Sequence, residues 1–336
     1  MKKSTIALVA IAAVLGSAVA YYLASGTSNS SIASDTAWER DFSVKNTDDI
    51  YKIFLADRRG QTTTLTRKGD RWIYNDQFPA NPNIVKNLLQ VIRLVDIKYI
   101  PPRSAIQPMV ENLSTQGIKV EIYDQGDRLM KSYYVGGTTP DELGTYMIME
   151  NSEMPYVTSI ASMQGGVRVR YDIFGDKWRD KVLFDVNPEK VEAISIDFPK
   201  QRNKSFKLNI DGGKAAVVPY YEISPSLPGD PLDGAVDRYL ESYDRVSAEA
   251  FENNNKEKER IITEPAFCHI TVKEQGQEEV RVTLIPTFDT FVDGKKKSEV
   301  IQRYYAMVEP AGDLMLVQHQ VIKGILRPYN YFFGKE

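Results

Sequence analysis

The chain has 336 residues, of which 42% are hydrophobic, 26% charged and 10% aromatic, the make-up of a packed globular protein and not of a disordered one. A net charge of −3 and a pI near 5.7 argue against a nucleic-acid binder, which carries a basic surplus. The single cysteine, Cys268, excludes an internal disulfide, so the hydrophobic core must hold the fold by itself.

The first element is apolar. Behind Lys2 and Lys3, the stretch from Thr5 to Ala24 carries no charge. About 20 helical residues at ~1.5 Å each span the ~30 Å core of a bilayer. The leading lysines predict a cytoplasmic N-terminus, with the remainder on the periplasmic side of the inner membrane. The competing reading is a signal peptide cleaved after Ala20, which would release a secreted protein. The apolar run continues through Tyr21, Tyr22 and Leu23, past the ~7–15 residues of a signal core, and tyrosines at that depth suit the interface. A retained anchor over 1–24 is the preferred expectation, with the lipid bilayer as a partner of residues 5–24. Residues 25–37 are small and polar, which predicts a flexible tether.

A first module is expected over 38–175. Ile53 and Leu55 alternate with polar residues, Arg59-Gly60 turns the chain, Thr62 to Thr66 returns, and Trp72 to Tyr74 follows the turn at Lys68-Gly69-Asp70. Asn81 as N-cap and Pro82 at the first position start a helix with Ile84, Val85, Leu88, Leu89, Ile92 and Val95 on one face, ended by Pro101-Pro102. A hairpin pairs Ile118 to Ile122 with Leu129 to Val135 and breaks at Gly136-Gly137. Strands at Tyr146 to Met149 and Tyr156 to Thr158 complete the module.

Residues 176–188 are expected to connect it to a second module, 189–336, in which the same order recurs. Strands at Ile194 to Phe198, Phe206 to Ile210 and Val217-Val218 precede another cap-plus-proline start at Asp230-Pro231. The helix behind it carries Ala235, Val236, Tyr239, Leu240, Tyr243 and Val246. This repeats the apolar pattern of the first helix at a shift of roughly 151 positions, the signature of an internal repeat. The fold class predicted is α+β: two tandem duplicated modules, each a mostly antiparallel sheet with one main packing helix (βββ-α-ββββ), after an N-terminal transmembrane helix. The charged run from Glu252 to Arg260 predicts a solvated loop. A short helix is expected from Gln318 to Leu326, and the aromatics from Tyr329 to Phe333 are expected to fold back into the core.

Signals of catalysis are weak. Two histidines, His269 and His319, and no C-x-x-C or H-E-x-x-H spacing give no metal site, and no other cofactor is implied. There is no G-x-S-x-G elbow, and adjacent Cys268 and His269 in a strand point to opposite faces. Gly136-Gly137 and Asp211-Gly212-Gly213-Lys214 suit turns better than phosphate cradles. Asp293-Gly294-Lys295 fits a hairpin, with Lys295-Lys296-Lys297 at its tip. The pairs Tyr133-Tyr134, Tyr220-Tyr221 and Tyr304-Tyr305 each turn one ring outward from a strand. Outward tyrosines suit recognition, with cross-strand packing on the open sheet face as the plainer reading; the candidate interaction surface comprises Tyr134, Tyr146, Trp178, Arg179 and Tyr305.

Several stretches carry a family resemblance: DFSV at 41–44, KIFLADRRGQT at 52–62 and GIKVEIYDQGDRLMKSYYVGGTTPDELGTYM at 117–147. WRDKVLFDVNPEKV at 178–191 and RYYAMVEPAGDLMLVQHQVIKGILRP at 303–328 extend it. Together they closely resemble the DUF4340 family, a domain of unknown function in exported envelope proteins. The resemblance implies a membrane-tethered extracytoplasmic protein, in some cases encoded beside gliding-type ABC-transporter components, and it carries no catalytic residue set. The expected function is that of a non-enzymatic interaction module with an envelope protein partner. The alternative is an envelope glycan hydrolase with two carboxylates ~5–9.5 Å apart between the modules. A small-molecule binder would instead need an enclosed apolar pocket.

Overall fold

A computed structural model of the chain describes residues 37–287, 291–292, 295–296 and 301–334. The expected membrane segment at 5–24, nearly all of the tether, and Lys297 lie outside the described residues. Among the described residues no helix is long and apolar enough to cross a membrane. The chain divides between Arg179 and Asp180 into two compact units, Met1–Arg179 and Asp180–Glu336. Each combines antiparallel sheet with a few helices.

The first unit contains β1 (Lys52–Ala56), β2 (Thr62–Lys68), β3 (Arg71–Tyr74), β4 (Phe78–Pro79), β5 (Asp96–Tyr99), β6 (Ile118–Tyr123), β7 (Leu129–Thr138), β8 (Thr145–Met149) and β9 (Tyr156–Ser159). They form one sheet in the order β4-β3-β2-β1-β6-β7-β8-β9-β5. Helix α1 (Pro82–Leu94) begins as its sequence dictates: the Asn81 side chain accepts from the N–H groups of Asn83 and Ile84, and Pro82 needs no donor partner. Val85, Leu88, Val91 and Ile92 pack into a core with Ile53, Leu55, Val120, Ile122, Tyr133 and Val135. Full burial of each such side chain stabilises by about 1.5–3 kcal/mol.

Two expectations fail here. Helix α1 stops at Leu94 because Val95 turns extended into the edge strand β5, so Pro101-Pro102 is not its terminator. Pro102 instead caps a second helix, α2 (Arg103–Gln116), which the one-helix pattern did not contain. Nor do Gly136-Gly137 end their strand. They lie inside β7, at a register shift between Val135 and Thr138 opposite β8.

The second unit contains β10 (Val182–Phe184), β11 (Val191–Asp197), β12 (Phe206–Asp211), β13 (Lys214–Pro219), β14 (Val246–Ser247), β15 (Ala250–Phe251), β16 (Cys268–Glu274) and β17 (Val280–Pro286). Then come β18 (Phe291–Val292), β19 (Lys295–Lys296), β20 (Arg303–Glu309) and β21 (Asp313–Gln318). The main sheet runs β13-β12-β11-β16-β17-β20-β21-β15, with β10-β14 and β18-β19 as separate two-stranded pairs. Helix α3 (Ala235–Glu241) starts behind Gly234, at φ 66°, and not at Asp230-Pro231. Tyr243 and Val246 lie beyond its end, yet both are buried in the same core as Tyr239 and Leu240. The charged run is not loop throughout, since α4 (Lys258–Ile261) begins within it. The expected last helix shortens to α5 (His319–Ile322), and Tyr329 and Phe332 fold back into the core.

The segment 176–188 is shared out between the cores. Trp178 is buried in the first, while Leu183, Phe184 and Val186 are buried in the second. Among the described residues, no buried residue of either main core comes from the other unit.

Candidate interaction surface

Strand alternation decides what the first sheet shows. With Ile53, Leu55, Val120, Ile122, Tyr133 and Val135 turned to the core, Lys52, Phe54, Lys119, Glu121, Tyr123 and Tyr134 fall on the other face, all half-buried. Register then sets the neighbours. Phe54 lies opposite Glu121, Lys119 opposite Tyr134, and Tyr134 opposite Ile148.

An ionic network crosses this face. Lys119 Nζ is 2.7 Å from Glu121 Oε1 and 3.0 Å from Glu150 Oε1, and the Tyr123 hydroxyl donates to Glu121 Oε2 at 2.7 Å. The hydrogen bond to Glu121, then that to Glu150, holds the Lys119 ammonium well above its ordinary value. Tyr123 is pushed up to about 12, first by its bond to Glu121 and then by burial. Burial pushes the Glu121 carboxyl upward, but the bonds from Lys119 and Tyr123 outweigh it and bring the group below its usual range. Two cations sit over rings at the edges of the network. Lys52 Nζ is 4.1 Å from the Tyr123 ring centre, and the Arg58 guanidinium is 5.4 Å from that of Tyr134. Lys52 is also paired with Asp127.

The five sequence-predicted residues do not make one surface. Tyr134 and Tyr146 are half-buried on the outward face of neighbouring strands β7 and β8. Tyr305 is half-buried in the other unit, on β20, packed beside a small cluster of Ile261, Ile285 and Leu314. Trp178 and Arg179 are corrections to the expected surface. Trp178 is 0% exposed and its indole N–H donates to the Ile173 carbonyl. Arg179 is 7% exposed, with its guanidinium 3.8 Å from the Phe78 ring centre. Trp178 ends a short 3₁₀ turn and Arg179 is the extended residue after it, where neither the period of a strand nor that of a helix signals which side faces inward. Lys119, Glu121, Glu150, Lys52 and Arg58 were not singled out, although the alternation that exposes Tyr134 exposes Lys119 and Glu121 on β6 by the same rule.

Reactive groups elsewhere are quiet. Cys268 is buried, with its thiol pushed up by burial. His269, on the opposite face, shares a 2.9 Å hydrogen bond with the Thr283 hydroxyl, and burial lowers its pKa. His319 Nδ1 meets the Tyr304 hydroxyl at 3.0 Å. Asp57, Glu121, Asp124, Asp141, Glu150 and Glu249 are all displaced downward, so these carboxyls are held as carboxylates. Among the described residues no group of three His, Cys, Asp or Glu side chains could hold a metal ion.

A family model described as "Domain of unknown function (DUF4340)" matches residues 72–265, more than half of the chain. No curated protein and no solved structure matches.

Proposed function

The chain belongs to the DUF4340 family, and from the face its first sheet presents we propose that it is a non-enzymatic contact module of the cell envelope. In this reading residues 5–24 tether it to the membrane, the folded units lie outside the cytoplasm, and the outward face of β1, β6, β7 and β8 binds another envelope protein. A subunit of a transporter-type membrane complex is the expected partner, on the family resemblance.

One observation carries this reading. Phe54, Tyr123, Tyr134, Tyr146 and Ile148 keep part of their surface in solvent on a single sheet face, interleaved with Lys119, Glu121 and Arg58. Half-exposed tyrosine and arginine around apolar side chains is the composition of a protein-binding patch. Fixed ion pairs at its centre reduce the side-chain entropy lost on contact. A glycosidase acid needs a raised pKa, and the displaced carboxyls here move the other way.

The full chain, recovered gently from detergent-solubilised membranes, should bring a stoichiometric protein partner. The double variant Tyr134→Ala, Tyr146→Ala should lose most of it, while an exposed change outside the patch, Lys214→Ala, should not. Recovery of the bait alone, or equal capture by the double variant, counts against the reading. Fractionation with N-terminal sequencing of the mature protein tests the tether: a start at Tyr21 would replace the anchor with a cleaved signal.

We also propose that the two units descend from one duplicated ancestor. Support comes from their element order. With the short strands β4, β10, β14, β18 and β19 set aside, both run three strands, a helix, a short edge strand, a helix and four strands, and β5 and β15 each return to the edge beside the last of these, β9 and β21. Tandem chance would have to reproduce both the chain order and the spatial order.

A further inference from the structure

A pocket of about 270 Å³ opens in the second unit where β11 leaves the sheet, β16 enters it and β17 ends. Its wall is apolar: Phe198, Pro265, Ala266, Phe267, Pro286 and Ile301. Two of these are prolines without a backbone donor. The N–H of Phe267 is already given to the Leu284 carbonyl at 2.7 Å, and that of Phe198 to the Ser205 hydroxyl at 2.8 Å. Apart from Gln201, which also lines the pocket, the wall offers little to a polar ligand. Phe198 stands edge-on to Phe267 at 5.8 Å, and Phe267 leans on Tyr304 at 5.2 Å, which fixes the ring positions.

Two charged residues line the pocket, Lys200 and Glu264. Glu264 is engaged by Arg260. Lys200 is exposed and has no hydrogen-bond or ion-pair partner among the described residues. It begins a hairpin carrying Arg202, Lys204 and Lys207, with no acidic residue between Asp197 and Asp211. Asp197 accepts the Tyr221 hydroxyl at 2.6 Å. The volume is just below the ~300 Å³ at which pockets begin to take drug-sized ligands, a size suited to a single alkyl chain.

We infer that this pocket binds a single-chain anionic amphiphile, a fatty carboxylate, with its alkyl chain against Phe198 and Phe267 and its head group at Lys200. The inference rests on the second unit alone and is independent of the contact surface on the first. A purely apolar occupant would leave Lys200, in the lining, without a partner among the described residues.

Titration calorimetry of the full chain with octanoate, decanoate and dodecanoate, each below its micelle concentration, tests this. Binding should saturate and tighten about fourfold per added methylene until the pocket is full. Lys200→Glu, an exposed change that leaves the core alone, should weaken decanoate about five- to tenfold. Ala266→Trp should abolish binding while the thermal unfolding curve stays in place; if that variant does not fold, the Lys200→Glu comparison decides. The inference is overturned by absence of saturation at millimolar decanoate, or by decanoate binding that Lys200→Glu leaves unchanged. Decanol or decyltrimethylammonium binding as tightly as decanoate would also overturn it, in favour of an uncharged occupant.

Discussion

Lys119 shows how one outward-facing side chain sets the chemistry of a sheet face. It stands between Glu121 and Glu150, and the three side chains are 30%, 18% and 30% exposed. Pairs this sheltered still contribute only about 0.5–1 kcal/mol, so their effect is on position more than on total stability. The pH dependence follows from the directions of the shifts. Glu121 is lowered from 4.5, so its contribution is present above that value and disappears as pH falls through its lower folded value. Lys119 is raised from 10.5, so its contribution is complete below that value and is lost as pH rises through its higher folded value. Between these limits the network is constant. Glu121→Gln should cost about 0.5–1 kcal/mol in urea unfolding at pH 7, with the difference from the parent shrinking below pH 4.5. An equal difference at acid and neutral pH would refute the assignment. Much of this was legible from alternation, because Tyr134 and Lys119 fall outward by counting. Trp178 and Arg179 were not legible, because a short 3₁₀ turn and the residue that closes it offer nothing to count.

Helix α2 marks where legibility runs out among the elements. It has Pro102 at its cap with no side-chain hydrogen bond, Pro108 inside, and only Met109 and Leu113 buried. Proline removes a backbone donor and crowds the preceding turn, so a reading from local preference ends the helical region at the first prolines. Tertiary contacts supply what propensity lacks. The Asn112 Oδ1 accepts from the Gly137 N–H at 2.7 Å, and Arg168 Nη1 donates to the carbonyls of Gln116, Val135 and Gly136 at 2.8, 3.1 and 3.0 Å. The two glycines therefore serve close approach and not strand termination. A Cβ at Gly136 would come within 2.9 Å of Asn112 Oδ1 and 3.0 Å of Leu113 Cδ2. Gly136→Ala should cost about 1–3 kcal/mol by overpacking. It should also speed amide exchange across 103–116 while leaving 82–94 protected, because α1 packs on a different set of side chains. Unchanged exchange in α2 would show that the neighbours yield freely. By contrast α1 was legible in full at its start, where Asn81, Pro82 and a one-sided apolar stripe all point the same way.

At the scale of the whole molecule, the cores decide where the chain can be divided. One main core draws its buried residues from Phe42 to Trp178 and the other from Leu183 to Phe332. Fragments 37–179 and 180–336 should therefore each unfold cooperatively, with its own transition in calorimetry. The matched family stretch, 72–265, cuts the chain quite differently. It begins inside β3 and ends before β16, so it omits β1 and β2 from one sheet and β16, β17, β20 and β21 from the other. In the first sheet β1 is central, hydrogen-bonded to β2 on one side and to β6 on the other. In the second, β16 holds the same place between β11 and β17. Removing a central strand exposes the inner faces of its neighbours and strips the backbone pairing from two edges at once. A fragment limited to 72–265 should be insoluble, or should lack a cooperative transition, while the fragments cut at Arg179 fold. If 72–265 folded cooperatively and 37–179 did not, the two-core partition would fail, and the folding unit would have to be sought across the junction.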